Sequence, residues 1–476
     1  MRTVLTTIKK GCAILSILAN STNARCNAFQ AVQGFFLKSV NTPKHVINVL
    51  AHGGWSISST SICNMVKSLM KEQQTLLKGL SSTGLFSIAY DNLDFDFKAK
   101  EPTIEHQGSF ESIMTATFIP LTHGATQDDL HFSQKIWEES PTNPDSVKDS
   151  RPHPPPHTDY IFSHLRESAP HIHSAIEWFI KYKLVEEYTH EFCEQLGYIV
   201  PIEEHIPIEK SIQHPTRALC IKASTTKGNA DIVDNLEKQA GMSIVWFDLF
   251  MCLCHGDLGT QEQHDTTKES HCIELMAQNR LQGLINIPGI FHVRMACVDT
   301  IWWTHLSSKD QQQNEGGIFE LFKLMWPKDT AKVGGPGYQI LNDGIQHLVK
   351  SNIIICCEDI VGMTNLWQWF SDKKPLWDEI CSLATEICKK HFVGADFEDM
   401  RDMPNKERDQ KWENRLLFNH DGLMYSMLAH ASNTGAITLV KDLLWHWVPM
   451  FSGTGKHKYA AHVSRFLRDL HLIYPP

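Results

Sequence analysis

Two aspartates, Asp91 and Asp257, each follow a short apolar run, Phe86-Ser-Ile-Ala-Tyr90 in one case and a stretch closing on His255-Gly256 in the other. Carboxylates at the ends of neighbouring strands can hold two magnesium or manganese ions, which activate a water or hydroxyl and stabilise the leaving oxygen of a phosphodiester. Asp91 and Asp257 are therefore the catalytic and metal-binding candidates, provided that one sheet brings their strands together. Such a site needs a third acid. Asp421, Asp442 and the pair Glu358-Asp359 could supply it, and spacing chooses none of them. The plain alternative is that Asp-Asn and Gly-Asp are turn formers that cap strands with no metal present.

Other constellations carry less. Cys252, Cys254, His255, His264, His271 and Cys272 invite a zinc reading, but structural zinc prefers Cys pairs with two to four residues between them, and only Leu253 separates Cys252 from Cys254. Cys252 and Cys254 alternate along an expected strand and share one face, which predicts buried thiols. His153, His157, His171 and His173 read as a solvated loop followed by a helix start. Phe451-Ser-Gly-Thr-Gly-Lys-His-Lys458 fails as a phosphate-binding loop, with Met450 in place of the first glycine and His457 where Ser or Thr should hold magnesium. Gly334-Gly-Pro-Gly337 is a loop. There is no nucleophile elbow, no zinc-protease helix motif and no kinase motif set.

The charge layout points to an anionic partner. Residues 1–90 hold nine basic groups and one acid, a balance of +8, although the whole chain stands at −10. Within this front, Pro43 to Gly54 reads as a short helix ending at two glycines, and Ser56 to Met70 as a hydroxyl-capped second helix. That is the outline of a helix-turn-helix, and equally of a plain helical hairpin. Lys44, Lys67 and Lys71 flank the turn and are the nucleic-acid-binding candidates, with DNA as the expected partner. The competing expectation is that this basic surface docks on the acidic body of the same chain.

These residues need elements to position them. Strands are expected at Leu85–Tyr90 (continuing through Phe97), Ile113–Leu121, Arg217–Ala223, Ile244–Cys254 and Leu284–Phe291. A proline-rich loop should span 141–158, followed by a helix from about Ile161 to Leu196. From about Ala296 to Leu444 the pattern is mostly helical. The expected division is a basic helical region over 1–84, a mixed α/β core over 85–299, a helical insertion over 300–420, and C-terminal helices over 421–476 that complete the core.

Composition excludes several classes. With 476 residues, 42% hydrophobic and 21% charged, the chain is an ordinary globular protein, neither disordered nor collagen-like. Its longest apolar run, Ile244 to Cys254, is interrupted by Asp248, so no membrane span is expected. The first 26 residues mimic a signal peptide but read as an amphipathic helix. Thirteen scattered cysteines, with the vicinal pair Cys356-Cys357, predict a reducing, intracellular setting, nuclear if DNA is the partner.

Five segments together, YDNLDFDFKAKEPT (90–103), IPLTHGATQDDL (119–130), HGDLGTQEQ (255–263), IPGIFHVRMACVD (287–299) and FSGTGKHKYA (451–460), resemble a large fungal family known only as domain of unknown function 6589. By analogy the resemblance implies a transposon-derived protein with a ribonuclease-H-like core. It carries the Tyr-Asp-Asn motif onto Tyr90, Asp91 and Asn92, and Gly-Asp-Leu-Gly-Thr onto Gly256 to Thr260. Two acids of the pattern are missing, one at Asn433 in Ser432-Asn-Thr-Gly435 and one at His462 after Ala461, and members usually continue past Tyr474-Pro-Pro476. The expectation is thus an α+β protein with a ribonuclease-H-like mixed sheet, a large helical insertion and a helical N-terminal region. Its expected function is mobile-element-derived nucleic-acid binding by a decayed copy. The alternatives are an active magnesium- or manganese-dependent transposase or nuclease, and a helical interaction protein without nucleic-acid contact.

Overall fold

Hydroxyl caps and glycine stops delimit the front helices. α1 (Arg2–Thr22), α2 (Ala28–Ser39) and α3 (Lys44–His52) precede α4 (Ser59–Thr83). The Ser58 hydroxyl accepts a 3.1 Å hydrogen bond from the Ser61 N–H and so starts α4; Gly84, at φ 70°, ends it in a left-handed turn that a side chain would strain. The helix, glycine turn and capped helix expected from the sequence are present as α3 and α4. This computed structural model describes residues 2–97, 109–140, 142–145, 158–197, 200–201, 204–306, 317–327, 336–392, 402–404 and 407–474. Most of the proline-rich segment 141–158, with His153 and His157, lies outside the described residues, as do Gly334 and Gly335.

Alternating apolar residues then build β1 (Phe86–Phe97) and β2 (Ser109–Pro120), paired antiparallel from Phe86 opposite Pro120 to Phe97 opposite Ser109. After α5 (Ser133–Glu139), α6 (Thr158–Tyr188) and α7 (Cys193–Leu196) come β3 (His214–Pro215), α8 (Thr226–Ala240) and α9 (Ile244–Leu249). β4 (Cys252–Gly256), α10 (Leu258–Ser270), β5 (Leu284–Pro288) and α11 (Ile290–His305) follow. The sheet order is β3-β2-β1-β4-β5. β4 lies parallel to β1 and to β5, β3 pairs antiparallel with β2, and only β2 therefore runs against the rest. The fold is α+β.

Two expected strands differ. Ile244–Leu249 is helical and the strand begins only at Cys252. An unbroken apolar run has no period to choose between helix and strand. The helical turn brings Trp246 onto Phe86 and Phe250, with ring centroids 5.4 and 5.8 Å away. In Arg217–Ala223 only Leu219 bridges to Met114, through bonds of 2.8 and 2.9 Å, and the named strand is the two-residue β3 just upstream. Pro215 has no N–H to donate, which limits this edge.

The remaining helices are α12 (Ile318–Met325), α13 (Tyr338–Val361), α14 (Leu366–Lys373), α15 (Trp377–His391), α16 (Gln410–Thr434), α17 (Ile437–Gly453) and α18 (His457–Leu472). Burial divides into two cores. One face of the sheet, with Phe86, Ile88, Tyr90, Phe118, Cys252 and Cys254, packs on Ile232, Val233 and Leu236 of α8. The second core is helical and is shared by α6, α11, α13 and α15–α18, with Trp302, Trp445 and Trp447 fully buried. α6 belongs to it, although in sequence it lies between β2 and β3. The buried thiols expected at Cys252 and Cys254 are found. No helix among the described residues is long and apolar enough to cross a membrane.

Candidate functional site

The pairing of β1 with β4 runs Ser87 to Leu253, Ile88 to Cys254 and Ala89 to His255. Two residues beyond the last pair stand Asp91 on one strand and Asp257 on the other. The neighbouring strands expected from the two acids are thus present, although β1 does not stop at Asp91 and continues to Phe97. Adjacent strands lie about 4.8 Å apart, so the backbones of the two acids enter the same end of the sheet.

Their side chains face different spaces. Asp91 is exposed and lines a cleft of about 460 Å³ with Thr115, Thr117, His255, Gly289 and His292. Burial depresses the His255 pKa. Asp257 is the N-cap of α10: its Oδ1 accepts a 2.7 Å hydrogen bond from the Thr260 N–H. Gly256 lets the first turn of α10 fold back, because a Cβ there would lie 2.8 Å from the Thr260 side chain.

A second cleft, about 690 Å³, opens on the other side of this turn, lined by Leu258, Asp299, Tyr338, Lys456, His457 and Tyr459. Gly256 borders the first cleft and Leu258 the second, so the backbone turn at Asp257 forms the rim between them, although the Asp257 side chain itself lines neither. Electrostatics agree with that placement. The Tyr90 phenol is pushed well above its usual pKa by burial, then by Cys254 and Asp257. The Tyr459 phenol is raised by burial, then by Asp257, Cys297 and Asp299. Asp299 is ion-paired with Lys456. Asp257 and Asp299 therefore act on one tyrosine.

Beneath the rim lies a buried polar network. The Tyr90 hydroxyl sits between the Asn229 side-chain oxygen, 3.0 Å away, and His264 Nε2, while His264 Nδ1 reaches Asn286 Oδ1 at 2.6 Å. The Tyr90 hydroxyl donates to Asn229, and burial pulls the His264 pKa down to about 4, so the imidazole is neutral near pH 7. Four residues from β1, α8, α10 and β5 thus lock together the elements that carry Asp91 and Asp257.

The expected third acids are placed elsewhere. Asp421 on α16 accepts from His305 at 2.8 Å and stands 3.0 Å from His420 Nδ1. Burial alone would raise its pKa, but these two histidines hold it below the carboxylate range. Burial raises the Asp442 pKa, partly offset by His171 at 3.4 Å. Asp359 is bound by Lys390 at 2.9 Å, and its neighbour Glu358 shares its place near the end of α13. None of these four lines either cleft. Asn433, where the family pattern has an acid, is exposed at the end of α16, and the following Gly435 is hydrogen-bonded with Ile206 at 2.8 Å. It too lines neither cleft. Asp299 is the acid that sequence reasoning missed. Asp299 ends the segment 287–299 that carries the family resemblance, but a residue within a helix carries no strand-end cue.

Lys44, Lys67 and Lys71 are exposed on α3 and α4, with Lys67 and Lys71 one turn apart on the same helix face. Among the described residues, no ion pair ties a lysine of the front helices to the acidic body.

An α+β chain with two clefts meeting at an acidic strand end defines the class only by architecture. Residues 151–476 match the model of a family of unknown function, DUF6589, and the chain belongs to that family. The match includes Gly256–Thr260, 287–299 and 451–460, whereas Tyr90–Asn92 lies before it. Comparison with curated proteins and with solved structures gives no match.

Proposed function

We propose that this is a nucleic-acid-binding protein of fungal, mobile-element origin, with a ribonuclease-H-like core that no longer catalyses phosphodiester transfer. The observation that carries the reading is the basic front: its balance is +8, and Lys44, Lys67 and Lys71 stand exposed and, among the described residues, form no ion pair with the acidic body. Exposed lysines displace counterions from a phosphate backbone, which supplies affinity without reading sequence. The ribonuclease-H-like reading draws support from a mixed sheet with β1 at its centre and β4 parallel beside it. Loss of catalysis draws support from the engagement of the acids, Asp257 as a helix cap and Asp299 with Lys456. Fluorescence anisotropy of labelled duplex and single-stranded DNA with the full chain at low salt tests the binding. Absence of binding to both would leave the protein-interaction reading.

A second reading, an active metal-dependent nuclease or transposase, is favoured by one observation: Asp91 and Asp257 follow the same register pair on adjacent parallel strands. Both side chains would have to turn toward a shared magnesium or manganese ion, with Asp299, which lines the second cleft, as a further carboxylate. Metal-dependent cleavage of a DNA substrate, abolished by Asp91→Asn, would establish that reading and displace the first.

A further inference from the structure

We propose that His173, Glu177 and Cys388 hold one zinc-class divalent ion in the seam between α6 and α15. Their nearest donor atoms, an imidazole nitrogen, a carboxylate oxygen and the thiol sulfur, lie within 4.8 Å of one another. Three such groups meet nowhere else among the described residues. His173 Nε2 stands 3.4 Å from Glu177 Oε1. Donors bonded at about 2.0–2.3 Å to a tetrahedral ion are separated by roughly 3.4–3.8 Å, so this pair needs no rearrangement.

The sequence builds the site simply. Residues four apart on a helix present neighbouring side chains, which puts His173 and Glu177 on one edge of α6. Cys388 comes from the facing helix α15 and is fully buried, while the side chains of His173 and Glu177 are 39% and 22% exposed. The thiol thus forms the dry wall, and the other two open to solvent, giving an entry path and room for water as a fourth donor. A mixed N, O and S set suits zinc and excludes the oxygen-only preference of magnesium and calcium. On binding, the dication takes the place of the thiol proton, which is released to solvent.

The helix pair His173–Glu177 alone would be an ordinary surface contact; the buried sulfur turned toward it is what the metal explains. Cys381, two turns earlier on α15, also feels Glu177 but is not one of the three donors, so it serves as a control. The full chain, reduced and stripped with chelator, should be titrated with cobalt(II), following thiolate-to-cobalt charge-transfer absorption in the near ultraviolet. We expect saturation at about one equivalent, displacement by zinc, and no change in Cys381→Ala. Cys388→Ala should lose the absorption, and His173→Ala should weaken binding by at least about tenfold. Circular dichroism would show whether Cys388→Ala folds; if it does not, the half-exposed His173 variant decides alone. Equal titrations of the wild type, Cys388→Ala and His173→Ala, or no saturable absorption in the wild type, would overturn the proposal.

Discussion

Asp257 Oδ1 accepts a 2.7 Å hydrogen bond from the Thr260 N–H, so the acid at the end of β4 is also the cap that starts α10. One residue therefore carries two separable properties, a cap and a charge on the rim between two clefts. Asp257→Ala should destabilise the fold by about 1 kcal/mol, whereas Asp257→Asn, which keeps a capping oxygen, should change it by only a few tenths. Urea denaturation of the two variants checks this. Equal losses in both would show that the charge, and not the cap, is what the fold uses.

The Tyr90 network makes a second prediction. Tyr90→Phe removes the hydroxyl between Asn229 and His264 and leaves both buried groups short of a partner. The expected loss is about 1–3 kcal/mol, read from denaturation midpoints, without change in the exposed front helices.

The same network sets a pH dependence. His264 titrates near 4 in the folded protein and near 6.5 when unfolded, so between these values the unfolded chain binds the extra proton. Stability should rise with pH across that window and fall on acidification, by up to about 3 kcal/mol from this residue. His446, held near 4 by burial, adds to the same slope. Stability measured from pH 4 to pH 7 should therefore climb less steeply in His264→Gln than in the wild type; identical slopes would contradict the buried, neutral imidazole.

Much of this arrangement was legible in the sequence, and the omissions have physical causes. Ser58 and the glycines at 53 and 54 mark α3 and α4 because caps and stops are local chemistry. The acids after two apolar runs correctly suggested that β1 and β4 are neighbours. Helical Ile244–Leu249 was hidden because its form depends on Trp246 reaching Phe86, a contact between distant segments. Asp299 was hidden for a similar reason: it reaches the rim only when α11 and the Lys456 turn are packed together. The network of Tyr90, Asn229, His264 and Asn286 joins four elements, and no spacing in the chain announces it.

Asn433 tests the idea of a lost acid. Since it is exposed at the end of α16 beside the Gly435–Ile206 contact, Asn433→Asp should not create a divalent-metal site. Calorimetric titration with magnesium or manganese should give the same heats for both proteins. A new binding isotherm in the variant would place this position at the cleft after all.

The central claim, contact with nucleic acid through the basic front, is tested most directly by the salt dependence of DNA binding. Each phosphate neutralised on duplex DNA contributes a slope of about −0.9 in log affinity against log salt. The full chain should bind duplex DNA with a steep negative slope, and the combined change of Lys44, Lys67 and Lys71 to Gln should flatten it by up to about 3. These lysines are exposed, so each substitution should alter stability by no more than about 0.5 kcal/mol. Full-length protein that binds neither duplex nor single-stranded DNA at low salt, or a triple variant that binds with unchanged slope, would contradict the account.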